Sequence, residues 1–293
     1  MIRRLIVIFI SFVLLYAGVV SIQVFWVGGK SKNNVTAPNA EKDAGHKVYV
    51  FSFTKYTPDG AKEIEIEGDS ANILDKTVSL MNVMAKAYAE ETPVTITADR
   101  GNYDKSANKV HLQQNVVATT ENGTRLLTEE LEIYPTERVL ETNVEAKIKK
   151  DNLSVQGTGA RGDSNIKKVK FKKNVTVVVQ DPQEREKGPT VITCDGPLVV
   201  DYEKNIAHFK QNVVAEDTRG KLTADMMDVY YNRVSRRVSK IVALGNVVIE
   251  NPDGNKTYSD SVIYLADEGR IILGGDAEGL YYEGSKVNEE VFR

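Results

Sequence analysis

The chain has 293 residues and a net charge of −3, from 38 basic and 41 acidic side chains. That near-balance gives no case for nucleic-acid binding, which calls for a basic stripe on one face. A single cysteine, Cys194, excludes an intramolecular disulfide and a thiolate zinc site, and the three histidines share no spacing that gathers them on one helical face. No metal or cofactor is expected, and Cys194 is expected as a small buried apolar residue.

The first element is Arg3-Arg4 followed by an apolar run from Leu5 to Val27, broken only by Ser11, Gly18, Ser21 and Gln23. A helix of about 20 apolar residues crosses a bilayer, so residues 1–27 are predicted as a transmembrane anchor. The two arginines place the N-terminus in the cytoplasm and the rest of the chain on the far side. A cleaved signal peptide fits less well, because the run is long and ends in the bulky Phe25-Trp26-Val27. Residues 28–47 are small, polar and aperiodic, and are expected as a flexible linker.

From Val48 the pattern alternates, and an internal repeat emerges. One phrase, apolar-x-apolar, two residues, then Asn-Val, occurs as Val110-His-Leu112-Gln-Gln-Asn115-Val116 and Val169-Lys-Phe171-Lys-Lys-Asn174-Val175. It returns as Ala207-His-Phe209-Lys-Gln-Asn212-Val213 and Ile241-Val-Ala243-Leu-Gly-Asn246-Val247. Looser copies centre on Asn143-Val144 and on Asp276-Ala277, and Asn82-Val83 is a candidate first member. A second phrase precedes several copies: Ile96-Thr-Ala98-Asp99, Ile192-Thr-Cys194-Asp195, Leu222-Thr-Ala224-Asp225 and, more weakly, Ile66-Glu-Gly68-Asp69. An apolar residue follows four positions later, at Ile73, Tyr103, Val199 and Val229. The repeat is thus about thirty residues long and holds two short alternating runs.

Around each Asn the apolar positions share one parity, the signature of a strand with a single buried face. The residues expected on that face are Val110, Leu112, Val116 and Ala118; Val169, Phe171, Val175 and Val177; Ala207, Phe209 and Val213; Ile241, Val247 and Ile249; and Ile271 and Leu273. The position before the Asn breaks the series with Gln114, Lys173, Gln211, Gly245 and Gly275, which suits a bulge or bend. Parity also switches across the repeated Asp, as in a strand turning a corner. Pro58-Asp59-Gly60, Asn122-Gly123 and Asn251-Pro252-Asp253-Gly254 read as hairpin loops. A short helix over residues 81–90 is the competing reading there, and the repeat register favours strand. The prediction is all-β.

These features resemble the OstA-like family of lipopolysaccharide export proteins, in its membrane-anchored LptC type. Thr97-Ala98-Asp99-Arg-Gly-Asn-Tyr103-Asp104 through Asn115-Val116 carries the resemblance best, and Thr223-Ala224-Asp225 through Asn246-Val247 comes second. The likeness covers the anchor and most of residues 48–285. It implies an open β-jellyroll, a folded antiparallel sheet whose V-shaped interior shields lipid A acyl chains. It also implies a periplasmic β domain held at the inner membrane beside an ABC transporter, and edge-strand addition to bridge proteins of the same fold. The β region is longer than one LptC-type domain. Residues 48–187 are therefore read as an LptC-like jellyroll, and 188–285 as a second, LptA-like unit or a continuation of the first.

The functional expectation is a conduit that accepts lipopolysaccharide from the transporter and passes it along an apolar groove, with the parity residues above as the groove face. The alternative is a tethered structural or adhesive β-solenoid in which the same face is closed core. Enzymatic readings are set aside: the acids recur once per repeat, which suits a corner, and no Ser-His-Asp, Cys-His or metal-ligand cluster emerges. Gly157-Thr-Gly159-Ala-Arg-Gly162 matches a dinucleotide loop in letters alone, since a strand pattern follows it; its glycines are expected to form a tight bend between strands. Lys168, Lys170 and Lys172 are expected on a solvated strand face.

Overall fold

The computed structural model describes residues 45–281 except 57, 89–92, 122, 135–136, 138, 164–167, 181–187, 202 and 233–237. The expected anchor and nearly all of the expected linker lie outside the described residues. Among the described residues seventeen strands make up the regular structure and no helix occurs. The chain divides into two compact units, Met1–Leu140 and Glu141–Arg293.

The first unit holds β1 (His46–Tyr56), β2 (Lys62–Ile73), β3 (Thr77–Ala87), β4 (Val94–Asp104), β5 (Lys109–Thr120) and β6 (Arg125–Tyr134). Each pairs antiparallel with the next. The unit boundary falls inside β7 (Val139–Lys150). The second unit continues with β8 (Leu153–Asp163), β9 (Lys168–Val179), β10 (Thr190–Cys194), β11 (Leu198–Asp201) and β12 (Ile206–Asp217). It ends with β13 (Gly220–Tyr231), β14 (Val238–Glu250), β15 (Lys256–Leu265), β16 (Arg270–Gly274) and β17 (Glu278–Leu280).

From β8 on the meander is again antiparallel, with one variation. β10 and β11 act as two halves of one interrupted strand, both pairing with β9 on one side and β12 on the other. Likewise β16 and β17 both pair with β15. The ladder runs on across residue 188, because Thr190–Cys194 lie against Val179–Val175.

Local chemistry explains the connections. The three hairpin signals fall between β1 and β2, β5 and β6, and β14 and β15. In the last, the N–H of Gly254 donates to the Asn251 carbonyl at 3.0 Å and the glycine takes a φ of 84°. A second loop type recurs. Asp104 Oδ1 accepts the N–H groups of Ser106 and Ala107, and Asn108 closes the turn at a φ of 50°. Asp201 does the same for Glu203 and Lys204, with Asn205 at 54°.

The core lies on one face of each unit. In the first unit Ile66, Leu80, Tyr103, Val110, Val116 and Leu131 pack together, with Phe51, Ile96 and Ile133 partly buried against them. In the second, Phe171, Val175, Leu198, Val213, Met227 and Val247 are the most deeply buried side chains. Each such residue contributes about 1.5–3 kcal/mol by leaving water. Alternation of period two over most of the chain therefore produces sheets with one dry face, as its sequence requires.

Candidate functional site: the inner face and its crease

Five strands that carry the Asn-Val phrase share one backbone conformation at the Asn, which Asn143 of the looser copy on β7 does not adopt. Asn82, Asn115, Asn174, Asn212 and Asn246 have φ values of 48°, 53°, 54°, 53° and 46°. Asn tolerates this left-handed region better than most residues, because its short polar side chain bonds locally. Gln114, Gln211 and Gly245, immediately before, are also at positive φ, 65°, 66° and 78°. The pairing shows why. Lys210 faces Met226 and Val213 faces Ala224, which leaves Gln211 and Asn212 together opposite Asp225. Gln114-Asn115 stand likewise opposite Glu129, and Gly245-Asn246 opposite Asp260. These are bulges of two residues against one, and each bends its strand.

The neighbouring strand completes the corner. Asn115 Nδ2 donates to Asp99 at 2.7 Å, Asn212 to Asp195 at 2.7 Å and Asn246 to Asp225 at 2.8 Å. Asn82 makes the same bond to Asp69. On the Asp strands two consecutive residues turn outward: Asp225 and Met226 are exposed, while Ala224 and Met227 on either side are 5% and 1% exposed. The repeated acids are thus corner residues. At β10–β11 and β16–β17 the corner interrupts the strand altogether, at Asp195-Gly196-Pro197 and Gly275-Asp276-Ala277.

The parity residues fall into three classes. Val110, Leu112 and Val116, then Phe171, Val175 and Val177, then Phe209, Val213 and Val247, are buried. Ala118, Val169, Ala207, Ile241, Ile249 and Leu273 are half-buried. Ile271 is 44% exposed. The structure brings these residues to the inner face strand by strand: Phe171 lies opposite Leu198, and Leu198 opposite Phe209. Further along, Ile241 faces Tyr264, which faces Ile271. In the last strands Ala224, Ala243, Val247 and Val262 form the buried cluster, edged by Leu222, Ile249 and Leu273.

Several inner residues fall outside the parity set. Leu80, Tyr103 and Leu131 in the first unit, and Leu198, Met227 and Val229 in the second, are buried on the same face. Most sit on the strands carrying the Asp phrase, where the switch of parity at the corner hides the alternation. The interrupted strand departs from this pattern. Four residues after its Asp, where Tyr103 and Val229 are buried on their own strands, Val199 lies opposite Lys170 and His208 on the outer face, and Leu198 points inward at 1% exposure. The break at Asp195-Gly196-Pro197 accounts for it, since proline supplies no ladder N–H and the corner takes one more residue.

One correction concerns Gly157 and Gly159. They lie within β8, not in a bend between strands. A β-carbon on Gly157 would stand 2.9 Å from Phe171 Cδ1, and Gly159 passes beneath the stem of Lys172. Close approach to β9 is their structural role.

On the outer face the charges pair locally. Glu132 accepts hydrogen bonds from the Lys109 ammonium at 2.6 Å and from the Tyr134 hydroxyl at 2.5 Å, and these bonds hold its carboxyl below its usual range. His208 Nδ1 lies 2.7 Å from Asp228 across β12 and β13. Cys194 is buried, its Sγ 3.4 Å from the Gly196 carbonyl, and burial pushes the thiol up. Lys168, Lys170 and Lys172 are exposed. Among the described residues no three His, Cys, Asp or Glu side chains gather to hold a metal ion.

Compared with known proteins, residues 7–180 match the family model described as LptC: Lipopolysaccharide-assembly, LptC-related. The match ends at the close of β9, and no curated protein matches the chain.

Proposed function

The chain belongs to the LptC-related family of lipopolysaccharide-assembly proteins, and from that premise we propose that it is an inner-membrane-anchored periplasmic conduit for lipopolysaccharide. Residues 1–27 hold it in the membrane with the N-terminus cytoplasmic. The β region accepts lipopolysaccharide from an ABC transporter and passes it, acyl chains inward, along an open jellyroll toward the outer membrane. Bridge proteins of the same fold join by strand addition, which supplies backbone hydrogen bonds independent of sequence. Residues 188–285 lengthen the route by continuing the ladder beyond β9. The work is transfer, and no covalent step is needed.

One observation carries the reading. The inner row Val229, Ile241, Tyr264, Ile271 runs across four consecutive strands. Along it, exposure rises from 8% at Val229 to 44% at Ile271. An apolar row that passes from dry core to an uncovered lip is what an acyl chain requires, at about 0.8 kcal/mol for each CH₂ removed from water.

The test is a photo-crosslinking residue at Ile241 or Ile271, with Val242 and Ile272 as opposite-face controls. Adducts with lipopolysaccharide at the inner pair alone are expected. With the protein folded and abundant, adducts at neither pair would replace the conduit by a tethered structural β-protein with a closed interior.

A further inference from the structure

The Asn-Val strands share one register, so the same outward positions can be compared between them. Two, four and six residues before the Asn, β9 carries Lys172, Lys170 and Lys168, and Lys173 stands immediately before it. The corresponding positions of β5 are Gln113, His111, Lys109 and Gln114, and those of β14 are Leu244, Val242, Lys240 and Gly245. The repeat therefore has no need of lysine there. Yet residues 147–173 hold nine basic and two acidic side chains in a chain whose net charge is −3.

The lysines form one face. Lys168, Lys170, Lys172 and Lys173 are all exposed, and Arg161 on β8 stands directly opposite Lys170. Lys210 of β12 adds a further exposed cation. Like charges across a ladder cost stability, so pairing within the sheet does not explain the arrangement. Neutralisation is partial. Glu141 takes both Arg161, at 3.2 Å, and Lys172, at 2.7 Å, and Asp201 takes Lys168 at 3.3 Å. Lys170, Lys173 and Lys210 make no ion pair among the described residues.

We infer that this outward face of β8 and β9, with Lys210, docks on the anionic headgroup plane of a phospholipid bilayer. The inference rests on the reading of the chain as membrane-tethered. Three features favour a bilayer over an acidic protein. Lysines on alternate residues of a strand stand ~6.8 Å apart, a flat array of point charges without a fork geometry. No aromatic side chain stands on the outward face of β8 or β9 among the described residues, and Arg161 there is engaged by Glu141, whereas protein interfaces centre on aromatic and arginine anchors. The tether also keeps the face near such a surface at all times, so weak, additive attraction is enough.

The full chain would be reconstituted into vesicles of phosphatidylcholine, with or without phosphatidylglycerol, carrying an acceptor dye on lipid headgroups. A donor dye sits at Gln156→Cys in a Cys194→Ser background. Energy transfer is expected to rise with phosphatidylglycerol and to fall back at high salt. It should also fall back in a variant with Lys168, Lys170, Lys172 and Lys173 changed to Gln. Each lysine near an anionic surface contributes roughly fivefold in partitioning, so the variant should lose several hundredfold. No rise with phosphatidylglycerol overturns the inference, and so does a rise that the Gln variant retains, since another face would then be docking. Protection of the lysines by lipopolysaccharide micelles without a vesicle response would also overturn it, in favour of a sugar-phosphate site. Flotation separates the two readings. If the chain fails to float with phosphatidylcholine vesicles, the tether is wrong; the docking face is then read from salt-sensitive flotation with phosphatidylglycerol. Ile271 adducts should be unchanged in the Gln variant if only docking is lost.

Discussion

Asn212 and Asp195 stand 17 residues apart in the chain, yet the Asn212 amide donates to the Asp195 carboxylate at 2.7 Å. One belongs to the bulge of β12, the other to the break between β10 and β11. Their bond ties two neighbouring strands at the level where both bend, and the Asn115–Asp99 and Asn246–Asp225 pairs repeat it elsewhere. Position in the bulge and polarity of the side chain are both needed, so the pair can be dissected.

Asn212→Ala loses both the amide and the residue suited to positive φ, and should destabilise the chain by about 1–2 kcal/mol. Asn212→Gly restores the backbone freedom and should cost less. Urea unfolding of the two variants beside Asp195→Ala checks this. If Ala and Gly cost the same, the backbone conformation contributes nothing.

Gly245 allows a sharper contrast. A β-carbon there would meet Asp225 Oδ2 at 2.5 Å, and the φ is 78°. Gly60, at 87°, has open space around it. Gly60→Ala should cost about 1 kcal/mol through φ alone. Gly245→Ala should cost clearly more and weaken protection of the Asn246–Asp225 corner from hydrogen exchange.

Stability and transport should separate along the inner face. Phe171 is 1% exposed, and Phe171→Ala is expected to cost about 3–5 kcal/mol. Ile271, 44% exposed, should cost well under 1 kcal/mol as Ala. On the conduit reading, Ile271→Asp instead leaves the melting temperature nearly unchanged and reduces lipopolysaccharide adducts at Ile241.

Acid sensitivity has a specific source at Asp201. The N–H of Lys204, followed by Lys168, holds its carboxyl below the usual range. A folded pKa below the unfolded value, about 3.9, means the contribution is complete above that pH and is lost as pH falls through the folded value. Asp201→Asn lacks this dependence. Denaturant unfolding at pH 7 and near pH 3 should show the gap between the two proteins narrowing in acid.

Much of this was legible in the amino-acid order. The Asn strands announced themselves because their inward residues keep one parity on both sides of the bulge, as Leu112 and Val116 do. Gln114 and Gly245, breaking that series, marked the corner correctly. The Asp strands were harder. Two outward residues in succession, such as Asp225 and Met226, reset the alternation, so Met227 and Leu198 escaped notice. At Asp195-Gly196-Pro197 the corner takes one residue more than at Asp225-Met226, so Leu198 and not Val199 faces inward, and that difference has no periodic signature. Whether an apolar inner residue is sealed or open depends on how many strands follow it, and parity carries no record of that. Phe171 and Ile271 carry the same kind of label in the pattern and differ widely in exposure.

The bulged asparagine has a consequence for how such a chain grows. Each corner is made by two adjacent strands and needs nothing from those further away. A gene duplication that inserts a whole hairpin brings its own corner with it and leaves the others as they were, while loss of one residue inside a strand turns its remaining side chains inside out. Length can then be adjusted in hairpin-sized steps without redesigning the interior, as links are added to a chain.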